Sequence, residues 1–443
     1  MKKLFNGLLC VLLVMTLGVT DISCSSDDIE IPVGTAPSPD DKDAEYDFKA
    51  NNVYYVVYPN MECGVTYGYK NDDNYNNYSG KVIIPTSVEF NGSIYKVTRV
   101  DEDAFKGSKT LISVVLPQTL EKIASEAFSD CFNLSEINIP ASVKEMADYT
   151  LANCTGLRTL TLEDGIKEIP NGFCNRCTSL ESISMPKSVT KINDGAFAYC
   201  TSLTSVNMPQ VDSIFSGAFS DCTSLVNIEF PNVRFIEYKQ DYDFPEEQAF
   251  YNCNSLISIK LPKAISIGGF SSCDSLLEIE LPQAKNVYGF QNCNKLKTLK
   301  LPKAEIIDDT SSSGGFSFCD DLESINLPQA TSVSGFVHCP KLKSVTLPVV
   351  QFIHDSFNYC DELNSIILPD SLERVEQSFN NCPSLKSVYC KSSNPSNIYL
   401  SSSFRINYVG HTKATLYVPI GTLDAYKNWN YYFTNIEEYD YEE

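Results

Sequence analysis

The 443-residue sequence is poor in residues that commonly carry out catalysis. It has three histidines, His338, His354 and His411, and none belongs to a metal-binding or nucleophile motif. It also lacks the glycine-rich motif that holds phosphates. Carboxylates such as Asp320 and Asp321 are adjacent on a turn, so their separation for acid–base chemistry cannot be assigned. We therefore expect no enzymatic activity, no cofactor and no bound metal in a catalytic role.

Positive charge is scarce as well. Lysine and arginine number 34 against 56 aspartates and glutamates, and the formal net charge is -22 at pH 7. Such a chain repels nucleic acid and anionic lipid headgroups, so we expect no nucleic-acid partner. The acidity is typical of a soluble surface on a cell exterior, and dispersed calcium binding is the alternative.

One apolar run, Leu4 to Val19, stands out in a sequence without further long runs. It follows two lysines and is too short to span a bilayer, which is typical of a signal peptide. The run leads to Cys24, and Ser25-Ser26-Asp27-Asp28 follows. This resembles a bacterial lipoprotein signal at residues 1–23 with Cys24 as the lipidated residue, followed by the acidic export signal of Bacteroidetes surface lipoproteins. Asp21 replaces the usual apolar residue, so cleavage by an ordinary signal peptidase is the alternative.

Residues 24–45 are rich in serine, aspartate and proline, and they are predicted to form a disordered tether. The chain is therefore expected to be exported and held at the outer membrane, on the cell surface, by a lipid anchor only.

The most informative feature is a frame that returns thirteen times, Phe-x-x-Cys-x-x-Leu-x-x-Ile/Val-x-Ile/Leu-Pro. A complete copy runs from Phe197 through Cys200 and Leu203 to Pro209. Copies are 20 to 31 residues apart, which is typical of a solenoid of stacked coils. The Leu-x-x-Ile-x-Ile segment predicts a short strand with alternate residues in the core. The Gly-Ala-Phe-type segment predicts a tight or short helical turn with phenylalanine in the core.

Twelve of the 17 cysteines share one position of this frame. Equivalent side chains of stacked coils point in parallel at a spacing of about 4.8 Å, whereas a disulfide needs converging Cβ atoms about 3.8 Å apart. We therefore predict a column of buried free thiols. The Cys174-x-x-Cys177 spacing resembles a redox or zinc half-site, but both residues occupy core positions of the repeat.

Coil length varies in one segment only, between the proline and the next phenylalanine. Two coils are extended there, at residues 232–249 and 303–315. Extra residues at this position must leave the solenoid on one side, and the two segments are three coils apart, so they could form a paired binding rim. Tolerated surface insertions are the alternative. The candidate binding residues are Tyr238, Tyr242, Phe244, Asp308 and Asp309.

The central outward residue of each predicted strand forms a second column. It is polar along most of its length and includes Asn138, Asn207, Glu229, Lys260, Glu280, Lys300 and Asn326. Glutamate and lysine alternate from Glu229 to Lys300, which predicts modest cross-strand attraction. Tyr389 is the one aromatic in the column, so the strand face is better suited to broad polar contact with a protein than to glycan capture.

The two ends lack the frame. Residues 46–100 are rich in tyrosine and contain segments in which apolar and polar residues alternate. This pattern predicts β hairpins in an N-terminal cap. Residues 101–391 form the thirteen coils, and residues 392–443 are predicted to form a C-terminal cap with a strand and a short helix. An open solenoid end needs such caps because it exposes core and strand edges.

The frame Gly195-Ala196-Phe197-x-x-Cys200-x-x-Leu203, with a strand ending at Pro209, resembles the BspA-like leucine-rich repeats. Tyr95-x-Val97-Thr98 and the closing Leu416-Tyr417-Val418-Pro419 with Tyr426-Lys427 are similar to the ends of that family. Leu151 and Cys174 depart from the pattern. The resemblance implies a right-handed leucine-rich-repeat solenoid on a bacterial surface, and some members of the family are adhesins.

The sequence therefore favours a cell-surface binding protein or adhesin that recognises a host or bacterial surface protein or a glycan. A structural or assembly component of an outer-membrane complex, such as one handling nutrients, is the alternative.

Overall fold

Short strands follow one another along the chain with almost no helix between them. The structure is a computed structural model that describes residues 31–39, 44–68, 78–237, 248–307, 315–401, 414–433 and 435–441. Structural statements below concern these residues.

The N-terminal region contributes six strands: β1 (Phe48–Ala50), β2 (Val53–Tyr58), β3 (Glu62–Thr66), β4 (Ser79–Ile83), β5 (Ser87–Phe90) and β6 (Ser93–Val100). β1, β2 and β3 form successive antiparallel pairs, and β5 pairs antiparallel with β6, as the hairpin prediction requires.

Each repeat then contributes two strands in alternation. The first strands of the thirteen coils are β7 (Thr110–Val115), β9 (Glu136–Ile139), β11 (Thr159–Leu162), β13 (Ser182–Ser184), β15 (Ser205–Asn207), β17 (Asn227–Glu229), β19 (Ser258–Lys260), β21 (Glu278–Glu280), β23 (Thr298–Lys300), β25 (Ser324–Asn326), β27 (Ser344–Thr346), β29 (Ser365–Leu368) and β31 (Ser387–Cys390). The second strands are β8 (Lys122–Ile123), β10 (Glu145–Met146), β12 (Glu168–Ile169), β14 (Lys191–Ile192), β16 (Ser213–Ile214), β18 (Phe235–Ile236), β20 (Ser266–Ile267), β22 (Asn286–Val287), β24 (Ile306–Ile307), β26 (Ser332–Ser334), β28 (Phe352–His354), β30 (Arg374–Glu376) and β32 (Tyr399–Leu400). Two strands close the chain, β33 (Thr415–Pro419) and β34 (Asn435–Tyr439).

Stacking of the coils produces two walls of parallel strands. The front wall, which we call the front sheet, holds the first strand of every coil with β4 ahead of them and β33 and β34 behind. Its hydrogen bonding is continuous from β4 to β17, from β19 to β23, from β25 to β27 and from β29 to β34. The back wall, which we call the back sheet, is continuous from β12 to β32, whereas β8 and β10 continue the N-terminal sheet from β6. Register is kept without slip within the coils: Val206 pairs with Ile228 in front, and Ile192 pairs with Ile214 behind. β4 and β6 pair in parallel with β7 and β8, so residues 79–100 of the predicted cap already form a further turn of the solenoid.

The core is a stack of phenylalanine rings along the solenoid axis. The Phe250 and Phe270 rings are 4.7 Å apart and nearly parallel, at 1°, and the Phe270 and Phe290 rings are 5.2 Å apart. These side chains are fully buried, and each burial stabilises the fold by roughly 1.5–3 kcal/mol. At Cys174 the frame departs from phenylalanine, but the adjacent Phe173 is also buried and meets Phe197 edge-on at 6.1 Å. The core therefore tolerates the departure that the sequence shows.

The turn that carries each phenylalanine is tight rather than helical, which is one of the two forms that the sequence predicts. The residue before the repeat cysteine has a left-handed backbone in each described coil, for example φ 60° at Tyr199, 58° at Asn252 and 55° at Asn381. A residue in that conformation ends any incipient helical turn. The described helices are short 3-10 segments at the chain ends, Pro59–Met61, Pro395–Asn397 and Lys427–Tyr431, and none could span a membrane.

The predicted column of free thiols is confirmed. All described cysteines are unpaired and buried. Each repeat thiol donates to the backbone carbonyl at the phenylalanine position of the preceding coil, as from Cys222 Sγ to Phe197 O at 3.2 Å and from Cys382 Sγ to Phe357 O at 2.9 Å. Ser108 holds this position in the first coil, and its buried Oγ has no partner among the described residues. The thiol column is thus an inter-coil hydrogen-bond ladder, and the Cys174–Cys177 spacing belongs to it.

Part of the predicted tether is bound to the N-terminal region. The Gly34 N–H donates to the Glu89 carbonyl at 2.6 Å, and Thr35 exchanges backbone hydrogen bonds with Lys49 at 2.9 and 2.8 Å. Residues 32–35 are therefore ordered, contrary to a disordered tether over all of 24–45. Composition could not reveal this, because the contacts are made by backbone groups to an open strand edge.

Candidate functional site

The outward face of the front sheet is polar in the central coils. Lys300 Nζ lies 3.3 Å from Glu280 Oε2, whereas Lys260 pairs with Glu278 of the next strand at 2.8 Å. Asn138 Nδ2 donates to Glu163 Oε1 at 2.9 Å. Proximity to Lys260 lowers the pKa of the Glu278 carboxyl. Lys260, Glu280 and Lys300 of the predicted column thus pair with side chains of the same sheet, and such exposed ion pairs stabilise a fold only weakly.

This face changes character at the C-terminal end. Ile367, Tyr389 and Tyr417 are in register on β29, β31 and β33. The Tyr389 and Tyr417 rings stack at 4.8 Å, and the Tyr439 ring stands edge-on to both, at 5.1 and 5.9 Å. Ile367 is 50% exposed and Tyr439 is 41% exposed. At this end an apolar and aromatic run replaces the charged column. We call this run, together with the two concavities beside it, the C-terminal face.

Two adjoining concavities lie on the C-terminal face. One, of about 500 Å³, is bordered by Val349 and Ile367, and the other, of about 440 Å³, by Ile420 and Tyr439. They share Asp370 and Lys391, and Asp440 also borders the second, so charged side chains lie between and beside the apolar groups.

Tyr441 fixes the end of this surface. Its hydroxyl contacts two carbonyl oxygens, Cys390 O at 3.1 Å and Tyr417 O at 2.9 Å. Burial is the main cause that raises the pKa of this hydroxyl, so it stays a donor at neutral pH. Lys391 Nζ lies 5.9 Å from the centre of the Tyr441 ring. The far wall of the second concavity is therefore held by backbone-directed hydrogen bonds rather than by loose packing.

The remaining C-terminal cap closes the core. The fully buried Tyr426 hydroxyl donates to Ser392 O at 2.5 Å, and Trp429 packs edge-on against the Tyr426 ring at 5.0 Å. The aromatic cluster of this end is thus divided between an inner set that seals the core and an outer set that meets solvent.

The predicted site residues are only partly described. Cys24, the loop residues Tyr238, Tyr242 and Phe244, and Asp308 and Asp309 lie outside the described residues. The flanking residues show that both segments leave after a back-sheet strand, β18 or β24, and return before Phe250 or Phe316. The residues that flank the two segments therefore lie on one edge of the solenoid. Asn207, Glu229 and Asn326 lie on the outward front face as predicted, on β15, β17 and β25.

Sequence reasoning singled out Tyr389 but missed Tyr417, Tyr439 and Tyr441 as its neighbours. Tyr417 follows a segment without the frame, so its register with Tyr389 was hidden. The alternating Leu416-Tyr417-Val418 pattern was the available signal, because an outward tyrosine between two core residues matches Val388-Tyr389-Cys390.

The described residues contain no group of three or more histidine, cysteine, aspartate or glutamate side chains placed to hold a metal ion. The C-terminal face offers apolar surface, tyrosine rings, the carboxylates of Asp370 and Asp440 and the ammonium group of Lys391, which can recognise a partner.

Comparison with known proteins agrees with this architecture. A leucine-rich repeat protein from Bacteroides ovatus ATCC 8483 is 22% identical, with 89% of this chain and 100% of that chain covered and a TM-score of 0.56. A leucine rich cell surface protein from Faecalibacterium prausnitzii A2-165 is 20% identical over 77% of this chain and 94% of that chain, with a TM-score of 0.41. No functionally curated protein matches. The first similarity shows a shared fold.

The sequence model of the BspA type leucine rich repeat region, built from 6 copies, matches residues 85–204, 190–309, 244–352 and 331–415. These segments together extend over more than half of the chain and contain all thirteen coils. The chain therefore belongs to the family of proteins with BspA-type leucine-rich repeats.

Proposed function

We propose that this chain is an exported surface lipoprotein that acts as a binding protein or adhesin and contacts a protein partner with the C-terminal face. The observation that carries the proposal is the apolar and aromatic run on the front sheet, with Ile367 and Tyr439 exposed and Tyr389 and Tyr417 half-buried between them. A face of this kind costs free energy in water unless another surface covers it.

The composition of the C-terminal face supports a protein as the occupant. Tyrosine is enriched where partners bind tightly, because it buries a large ring at low entropy cost and keeps a polar tip. Ile420, at 65% exposure, and Val349, at 41%, add apolar area around the rings. Asp370 and Lys391 between the two concavities supply the charges that fix register and orientation.

Anchoring is the second part of the proposal. Cys24 carries the lipid, and an anchored solenoid presents its coils away from the membrane. Mass spectrometry of the mature protein is expected to find an acylated N-terminal Cys24. A mature chain that begins elsewhere with a free amine contradicts the anchor, and Cys24→Ala is the control that abolishes membrane retention. The segments with Tyr238, Tyr242, Phe244, Asp308 and Asp309 stay candidate binding loops on sequence grounds.

To test the binding proposal, the exported chain is immobilised and used to isolate a partner from surface proteins. The affinity of that partner is then measured for variants of the chain. Ile367→Lys is expected to lower the affinity for that partner at least tenfold, because it places a charge in the apolar area. The matched control is Asn207→Lys at the equivalent outward position of β15. Equal loss in both variants, or none in Ile367→Lys, contradicts the proposal. A stoichiometric partner from the cell's own envelope favours an assembly component over an adhesin.

A further inference from the structure

A groove of about 370 Å³ crosses four coils on the edge between the back sheet and the phenylalanine turns. The described residues that flank 238–247 and 308–314 lie on this same edge. With coils spaced about 4.8 Å apart, the groove is roughly 14 Å long. Its volume is in the range of small-ligand sites, and it lies on a different side of the molecule from the C-terminal face.

Two tyrosines line this groove, and both have left-handed backbones. Tyr149 (φ 56°) and Tyr199 (φ 60°) are in the left-handed region, which bulky residues rarely adopt. The Tyr149 side chain is nevertheless 47% exposed, so it gains little core packing in return. The equivalent residues of the next two coils are Gly172 and Gly195, which adopt this backbone without strain. These backbones belong to the repeat itself, because the residue before the cysteine is left-handed in every described coil and the backbone of Tyr149 recurs at Gly172 and Gly195. What distinguishes the groove is that an aromatic side chain occupies each of the two positions beside it.

The floor of the groove is bare backbone. A Cβ atom added at Gly195 would meet only Asn175 Nδ2, at 3.9 Å, so a side chain would project into open space. A Cβ at Gly172 would lie 2.2 Å from Tyr149 Cε1, which places the Tyr149 ring directly on the Gly172 backbone. Glu126 has the same position and backbone region, with φ 53°, in an earlier coil. The backbone thus accepts side chains here, and their absence keeps the groove open.

The polar groups of the groove are held in place. Asp148 accepts hydrogen bonds from the backbone and side-chain amides of Asn171, at 3.0 and 3.1 Å. The Asn171 side chain accepts from Asp194 N at 3.1 Å, and Asp194 accepts from Ser216 N at 3.1 Å. Carboxylate and amide oxygens therefore line the groove in fixed positions before any ligand arrives, which lowers the cost of binding.

The charge pattern restricts the ligand. Two carboxylates disfavour an anion. A cation gains less at the Tyr199 ring, because the Arg176 guanidinium already lies over that ring at 4.4 Å. A neutral polyhydroxyl ligand fits: its C–H faces pack on the tyrosine rings, and its hydroxyl groups donate to the fixed acceptors. An open-ended groove suits a chain-like molecule.

We propose that this groove binds a short stretch of a neutral, linear glycan, with Tyr149 and Tyr199 as the stacking residues. The site is independent of protein binding at the C-terminal face.

The test measures the full exported chain against a panel of neutral, acidic and cationic oligosaccharides and tetramethylammonium, followed by titration calorimetry. A neutral linear glycan is expected to bind. Tyr149→Gly introduces the residue that the next two coils carry at this position. It is expected to lower the affinity for the glycan at least tenfold. Gly195→Glu, which introduces the side chain that Glu126 carries at the same position, is expected to do the same by filling the floor. Thermal unfolding verifies that both variants are folded.

Two controls separate this site from others. Tyr359→Gly removes an exposed tyrosine with φ 58° on a distant coil and is expected to leave glycan affinity unchanged. Ile367→Lys is also expected to leave it unchanged, although it weakens the protein partner. The proposal is overturned if no neutral glycan binds, if tetramethylammonium or an acidic sugar binds better, or if folded Tyr149→Gly and Gly195→Glu retain wild-type affinity.

Discussion

The central and C-terminal coils have the same interior and different exteriors. Cys293 in the centre and Cys382 near the end donate to equivalent carbonyls, and the Phe270–Phe290 and Phe357–Phe379 ring pairs are 5.2 and 5.3 Å apart. Outside, Lys300 pairs with Glu280, whereas Ile367 and Tyr389 meet solvent and neighbouring rings. The repeat therefore fixes the inside of every coil and leaves the outward residues free to acquire a function locally.

The largest expected effect is a loss of stability in alkali that is common to both regions. Burial raises the pKa of the Cys131, Cys293, Cys339 and Cys382 thiols to about 12. Because the folded state holds these protons more tightly, their stabilisation is complete below about pH 9 and is lost as the pH rises towards 12. Four such groups remove about 5 kcal/mol per pH unit in this window.

Denaturant titrations at pH 8, 9 and 10 measure this slope. Serine does not titrate there and can donate to the same carbonyl, so Cys293→Ser is expected to reduce the slope by about 1.4 kcal/mol per pH unit. Cys382→Ser, in the C-terminal coils, should reduce it equally. A flat profile between pH 9 and 10 contradicts a buried, protonated ladder.

The second effect compares the phenylalanine stack in the two regions. Phe270→Ala and Phe357→Ala should each cost about 3–5 kcal/mol in the free energy of unfolding, because each removes a fully buried ring from a stack. Phe270→Leu is the milder control, since Leu151 occupies this position in one natural coil. If the two alanine variants differ by more than about 2 kcal/mol, the interiors are not equivalent.

The smallest effect concerns the ion pairs that distinguish the central exterior. A double-mutant cycle on Glu280 and Lys300 should give a coupling of about 0.2–1 kcal/mol, which falls when salt is raised to about 1 M. The matched cycle on Ile367 and Tyr389 should keep its coupling in high salt, since the contact is apolar. If the Ile367–Tyr389 coupling fell in high salt and the Glu280–Lys300 coupling did not, the two exteriors would not differ in the way described.

The repeat made much of this molecule predictable. One frame in one register specified the strands, the ring stack and the unpaired thiols, because each core position must match its neighbours in the next coil. The turns were predicted as tight or short helical, and the structure has the tight form. The choice was open because the left-handed residue before each cysteine carries varied side chains, from Asn153 to Phe318 and Tyr359. Glycine and asparagine signal that backbone, but they hold the position in fewer than half of the coils.

The candidate sites were less predictable, because they depend on residues brought together across coils. Tyr389 was visible as an exception in the outward column, but Tyr439 reaches it only through the pairing of β33 with β34. Tyr149 and Tyr199 belong to two different positions of the frame, so no single column contains both. The ordered residues 32–35 had no side-chain signal at all.

The most direct test of a shared interior with a locally specialised exterior is a crosslinking scan on cells that display the protein. A photoreactive side chain is placed in turn at the outward position of each of the thirteen front-sheet strands. The account predicts protein adducts from Ile367 and Tyr389 and none from Asn207, Lys260 or Lys300. Adducts of equal yield along the whole column, or from the central positions alone, would contradict it.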